Sequence, residues 1–246
     1  VHSLWRKLCR KAKVPPEGSG ECHSTLLPLP HPFQVPGSRF REMYYWDSLW
    51  VLRGLLVSKM ERSALGLVAN MLSLVERHGF VPNGSRAYYL NRSQPPLLSQ
   101  MVLELHQATG DNELLWQALP ALEAEHRYFD RKHVAVVGPD GGRPHRLARY
   151  WADWERPRPE SYREDMETCA AAATAAPRGT AVPSRSQAVV YRDLASAAES
   201  GWDFSSRWLK DGHSLASIQT TGVVPADLNA FLYRMECNIA AFARHL

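Results

Sequence analysis

Between Pro36 and Asp47 the chain reads PGSRFREMYYWD. Two arginines, two carboxylates, two tyrosines and a tryptophan follow a Pro-Gly turn. Aromatic faces beside planar charged groups suit a ligand with flat apolar C–H faces and a rim of hydroxyls, which describes a sugar ring. Trp46 or Tyr44 would stack on such a ring, while Arg39 and Asp47 make charge-assisted hydrogen bonds to its hydroxyls. The same residues also fit a structural turn leading into an amphipathic helix with its aromatics in the core.

Helical periodicity dominates the elements that must position this run. Leu65, Val68, Ala69 and Leu72 recur at i, i+3, i+4 and i+7, with Gly79 and Pro82 as stop signals. Leu115, Ala118, Leu119 and Leu122 form a second stripe, kinked at Pro120. Leu97, Met101 and Leu105 begin a third, ended by Gly110. Leu228, Phe231, Leu232, Met235, Ile239 and Phe242 make the clearest stripe, with Asp227 as its N-cap. A weaker stripe runs through Leu49, Leu52, Leu56 and Met60. Lys132–Val137 is the best strand candidate. The pattern predicts an all-α chain of about six or seven helices whose loops carry the chemistry. Cys169–Gln187, rich in Ala, Thr, Pro and Ser, reads as an insertion of low complexity, extending over 168–190 at its widest. No linker divides the chain, so 1–246 is taken as one domain, with 1–35 as an N-terminal helix and lead-in.

Composition excludes several function classes. A hydrophobic content of 45%, a charged content of 22% and a formal net charge of +4 are ordinary for a globular protein. Arg and Lys are dispersed among acids and aromatics, so the basic stripe that nucleic acid requires is missing. No apolar stretch reaches the roughly 18 residues that span a membrane. Cys9, Cys22, Cys169 and Cys237 lie far apart without CxxC spacing, which argues against a zinc site and leaves their redox state open. The chain starts at Val1 without an initiator Met or signal peptide and reads as a fragment, so compartment stays open.

The first run resembles the opening signature of the trehalase family, PGGRF-x-E-x-Y-x-WD-x-Y. It departs at Ser38, in place of the second glycine, and at Leu49, in place of the final aromatic. Three more segments match the same family in order: VPNGSRAYYLNRSQPP (Val81–Pro96), RPESY (Arg158–Tyr162) and ESGWDFSSRW (Glu199–Trp208). Four ordered matches over about 170 positions identify the chain with that family. The resemblance implies an (α/α)6 barrel, of which this chain would be roughly the N-terminal half. It also implies hydrolysis of α,α-trehalose to two glucoses by inversion, with no metal or organic cofactor. Family members occur both secreted and cytosolic; an extracellular or membrane-anchored location is preferred here.

Residue by residue, the match makes Asp203 the general acid and assigns sugar contacts to Arg39, Trp46, Asp47, Asn83, Arg92, Ser93, Gln94, Arg158, Pro159, Glu160 and the Gly201 backbone. An acid needs a proton near neutral pH, hence a pKa raised by burial and by nearby negative charge; Trp202 and Phe204 would supply the apolar surroundings. Read locally, Asp203 would instead cap a helix beginning at Ser205 or Ser206. Each guanidinium is a rigid fork that can donate to two hydroxyl oxygens at once, although isolated arginines also serve as surface ion pairs. Asn83, in a Pro-Asn-Gly turn and an N-x-S sequon, is predicted to carry no glycan if it lines a sugar site; Asn91 heads a second sequon. Gly84 would let the backbone double back there, and Ser38 and Ser85 stand where the family usually has a small residue.

The family's base is a glutamate ahead of a later QWDxPxxWxP signature, absent before Leu246. Of the carboxylates after Asp203, which are Asp211, Asp227 and Glu236, none sits in a matching motif, so no base is carried over. Glu42, Asp47 and Glu160 are conceivable substitutes. Losing general base catalysis would cost roughly 10²–10⁴-fold. Two rivals remain: a non-catalytic family member that retains sugar contacts, and a helical interaction module.

Overall fold

The computed structural model describes residues 2–13, 24–37, 39–138, 140–174 and 186–246. Ser38 and Cys22 therefore lie outside the described residues. Contacts divide the chain into two compact units, one of residues 1–131 with 230–246 and one of residues 132–229.

The first unit is a layered pack of helices. A short α1 (Leu4–Leu8) leads into a two-stranded pair, β1 (Cys9–Arg10) against β2 (Phe33–Gln34). Helices α2 (Asp47–Val57), α3 (Glu61–His78), α4 (Leu98–Thr109) and α5 (Asn112–Asp130) pack on one another, joined by most of α8 (Ala226–His245). Leu52, Leu55, Leu67, Met71, Met101, Leu105, Ala118 and Leu122 are buried at their centre. Gly79 and Gly110 end α3 and α4 in the left-handed conformation, at φ 80° and 69°, as the sequence predicts. Asp111 caps α5 by accepting from the Glu113 amide at 2.9 Å. Beyond that cap, α5 continues through Pro120 to Asp130.

Two details of the helix reading change. The buried face of α3 is Leu67, Val68, Met71, Leu74 and Val75, whereas Leu65, Ala69 and Leu72 of the predicted stripe are only half-buried. A helix this rich in leucine offers two apolar faces. The second one lines a groove of about 590 Å³ between α3 and α5. Asp227 is also not an N-cap. It stands inside the first turn of α8, accepts from the Leu228 amide at 2.8 Å and meets Arg207 at 3.4 Å.

The second unit holds an antiparallel hairpin of β3 (His133–Val136) and β4 (His145–Ala148), at the predicted strand, with α6 (Tyr162–Thr174) and α7 (Gln187–Glu199). The 168–190 stretch read as low in complexity overlaps helices at both ends. Residues 168–174 complete α6, with Cys169 buried, and 187–190 open α7. Alanine-rich sequence has no apolar stripe to read, yet alanine is the best helix former. Positions 175–185 lie outside the described residues. Eight α-helices stand among the described residues, above the six or seven expected. Trp208 is fully buried and meets Tyr150 edge-on at 6.3 Å, anchoring the connection after α7. Among the described residues no helix is long and apolar enough to cross a membrane.

Candidate active site

The first two signatures form one structure in the first unit. Tyr44 bridges Gly84 in antiparallel fashion, the Tyr45 amide donates to the Asn83 carbonyl at 3.2 Å, and the Ser85 amide donates to the Met43 carbonyl at 2.9 Å. Gly84 is required here by crowding, not by a doubled-back backbone: it is absent from the positive-φ residues, and an added Cβ would stand 3.0 Å from two Tyr89 ring carbons and 3.2 Å from Tyr44. Ser85 likewise has no positive φ. Its hydroxyl accepts from the Met43 amide at 3.1 Å, a bond that glycine could not make.

Side chains tie the two loops together. The Gln94 carbonyl oxygen accepts from the Trp46 amide at 3.1 Å, the Asn83 amide group donates to the Ser93 carbonyl at 3.3 Å, and the Ser93 hydroxyl donates to the Val81 carbonyl at 2.6 Å. Asn83, Arg92, Ser93 and Gln94 are all buried. A glycan on Asn83 would break this packing. The Arg92 guanidinium lies 5.0 Å from the Tyr89 ring centroid and donates to Asn91 Oδ1 at 3.1 Å. Trp46 is half-buried, edge-on to Trp50 at 6.1 Å. Asp47 opens α2, and burial raises its pKa against the pull of its own backbone amide. Arg39 is exposed, 5.4 Å from the Phe40 ring centroid.

Two residues weighed in the sequence have their surroundings defined here. The Tyr44 hydroxyl is held between Glu42 at 3.2 Å and Tyr89 at 3.0 Å, and its ring meets Phe40 and Tyr89 edge-on. Trp46 and Tyr44 are both half-buried. Glu42 is no substitute base: it is buried and accepts from Arg86 Nε at 2.6 Å, the Tyr44 hydroxyl and the Arg41 amide.

The third and fourth signatures fall in the second unit. Arg158 is 4% exposed, and Asp165 takes both its Nε, at 2.9 Å, and its Nη2, at 2.7 Å, while also accepting its backbone amide at 2.8 Å. Burial alone would weaken that charge. The Asp165 bonds, helped by the Glu160 and Asp203 carboxylates, outweigh burial and hold the guanidinium above its ordinary pKa. Glu160 and Asp203 are thus each within electrostatic reach of Arg158. Pro159 and Glu160 form an exposed 3-10 turn, and Arg158 lies 5.1 Å from the Phe204 ring centroid.

Gly201 turns the chain at φ 70° directly after α7. Just before it, Glu199 is fully buried, paired with Lys132 and accepting from the Trp151 amide at 3.0 Å. The Asp203–Phe204 peptide bond is cis. Asp203 is exposed, and the apolar cover expected from its neighbours is not formed. Trp202 and Phe204 are 47% and 37% exposed, and each has a guanidinium against its ring, Arg207 at 4.8 Å and Arg158 at 5.1 Å. Both rings stay largely exposed, so adjacency in sequence did not become enclosure. Nor does Asp203 cap the following helix: Ser205 accepts from the Arg207 amide at 3.4 Å and caps the Ser206–Trp208 turn itself.

Asp165, Ser85 and Glu199 were missed as partners in the sequence. Asp165 alone left a trace, seven residues beyond Arg158 in the acidic first turn of a helix.

A mostly helical pack whose loops carry buried arginines, carboxylates and a half-buried tryptophan defines a class by its build: helical proteins with polar and aromatic residues gathered in their loops. A family model described as trehalase matches residues 1–246, and the chain belongs to that family. It is 47% identical to a probable trehalase of Oryza sativa subsp. japonica, over 99% of this chain and 42% of the relative. It is 48% identical to a trehalase of Arabidopsis thaliana, over 98% and 37%. A periplasmic trehalase of Pseudomonas aeruginosa is 43% identical over 98% and 42%. Among solved structures, the neutral trehalase of Saccharomyces cerevisiae superposes with a TM-score of 0.68 at 26% identity, covering 87% of this chain and 40% of that one. The architecture is accordingly a portion of an (α/α)6 barrel, as the resemblance implied. The chain spans about two-fifths of the length of the curated relatives it matches.

Proposed function

We propose that this chain supplies the general acid and part of the sugar-binding set of an inverting α,α-trehalose hydrolase. Asp203 donates the proton to the leaving glycosidic oxygen. Arg158, Glu160 and the Gly201 backbone hold hydroxyls in the second unit; Arg39, Trp46, Asp47, Asn83, Arg92, Ser93 and Gln94 do so in the first. The observation that carries the reading is the Arg158 clamp. A guanidinium buried and charged, with two of its three nitrogens fixed by Asp165, keeps the third oriented for a hydroxyl without a rotamer search. Asp203 lies open beside that positive charge, so bound sugar must provide the dry surroundings in which it keeps its proton. Inversion places the base about 6.5–9.5 Å from the acid, leaving room for the attacking water. Trehalose is the proposed substrate and water its co-substrate.

A second reading, sugar binding without turnover, has one observation in its favour. Every carboxylate after Asp203 is already engaged. Asp211 accepts from the Ser214 and His213 amides, which hold its pKa at about 2, Asp227 meets Arg207, and Glu236 meets His126 at 3.0 Å.

Glucose release from trehalose, measured beside Asp203→Asn, tests the proposal. It predicts that release vanishes in Asp203→Asn while trehalose affinity changes by no more than a few-fold. Undiminished release by the variant would remove Asp203 as the acid; affinity without any release favours the second reading.

A further inference from the structure

Glu125, on α5 in the first unit, belongs to no signature, yet its side chain is completely buried. Neither carboxyl oxygen meets a donor at full hydrogen-bond geometry. The groups that stabilise its charge are the Tyr45 hydroxyl and the Val81 amide. Tyr45 immediately precedes Trp46 and Asp47, and Val81 opens the second signature two residues before Asn83. The carboxyl therefore sits where both loops leave the core.

The Tyr45 hydroxyl is a relay. It accepts from the Leu98 amide at 2.9 Å, which directs its own proton towards Glu125. A leucine at this position would fill the core without the cost of burying a carboxyl. Burial pushes Glu125 up to about 7, against the lowering effect of Tyr45 and Val81. Other titratable groups nearby face elsewhere. His126, next along α5, pairs with Glu236 on α8. His78, at the end of α3, has its pKa lowered by burial and by Arg77.

We propose that Glu125 is a positioning residue for both loops, holding Tyr45 and Val81 with one buried carboxyl so that Trp46, Asp47 and Asn83 keep a fixed mutual arrangement. Its relevance to sugar rests on the function proposed above; its action on the loops does not.

The test follows the backbone amide signals of Trp46, Val81 and Asn83 in isotope-labelled protein from about pH 5.5 to 8.5. The three should move together with one midpoint near neutrality, and Glu125→Gln should abolish that shared transition. Trehalose affinity should fall about three- to tenfold in Glu125→Gln, with the thermal transition still cooperative. If Glu125→Gln does not fold, Tyr45→Phe decides: losing a donor to the carboxylate should raise the midpoint. Still amides, a shared transition that survives Glu125→Gln, or an unchanged midpoint in Tyr45→Phe would each overturn the proposal. A wild-type protein that takes up no trehalose would instead break the functional reading and leave the amide titration to decide on Glu125.

Discussion

The two pairs of signatures are built in opposite ways. In the first unit, the Pro36–Asp47 and Val81–Pro96 loops are joined by backbone pairing and by Gln94, Asn83, Ser93 and Ser85, so their rigidity is spread over many modest bonds. In the second, Arg158 depends on one buried ion pair with Asp165, and Asp203 stands exposed after a left-handed glycine. On the proposed function, the sugar-binding residues of the first unit are held in place in advance by packing. On the same proposal, the surroundings of Asp203 in the second unit are completed by what binds there.

That contrast can be broken or sharpened by substitution. Asp165→Ala should have the largest effect. It leaves the Arg158 charge buried without its partner, and chemical denaturation should show the protein losing about 3–5 kcal/mol. A loss below 1 kcal/mol would mean that the second pair does not rest on that bridge.

The next effect belongs to Glu125. Its folded pKa, about 7, lies above the ordinary 4.5, so the folded state binds the extra proton between those values. Stability should accordingly fall by about 2–3 kcal/mol as pH rises from 4.5 to 7 and then level off, and Glu125→Gln should remove that slope. An identical slope in the variant would contradict the assignment.

Gly84→Ala drives a methyl against Tyr89 and Tyr44 and should cost about 1–2 kcal/mol, because distributed contacts can share the strain. Should it exceed Asp165→Ala, the first pair would be the brittle one. Arg53→Ala, at a bidentate but 49% exposed bridge to Glu104, should cost less than about 1 kcal/mol and serves as the baseline.

Much of this was legible in the sequence, for reasons that differ by element. Helices α3, α4, α5 and α8 announce themselves by apolar residues at helical spacing, with a glycine stop after α3 and α4. Helices α6 and α7 do not, since alanine gives propensity without a stripe. Motif residues such as Arg158 and Asn83 could be named, but not what holds them. Asp165 left only its place in an acidic first turn, and the burial of Glu125 comes from tertiary geometry that no local pattern encodes. Asp203 shows the same limit: its aromatic neighbours were visible, but their exposure was not.

Mapping trehalose onto the protein tests the central claim most directly. Amide shifts on titrating trehalose should concentrate at Trp46, Asn83, Gln94, Arg158 and Gly201, and Arg158→Ala should weaken affinity at least tenfold, about 1.4 kcal/mol. Shifts confined to other surfaces, such as the groove between α3 and α5, or affinity untouched by Arg158→Ala, would contradict it.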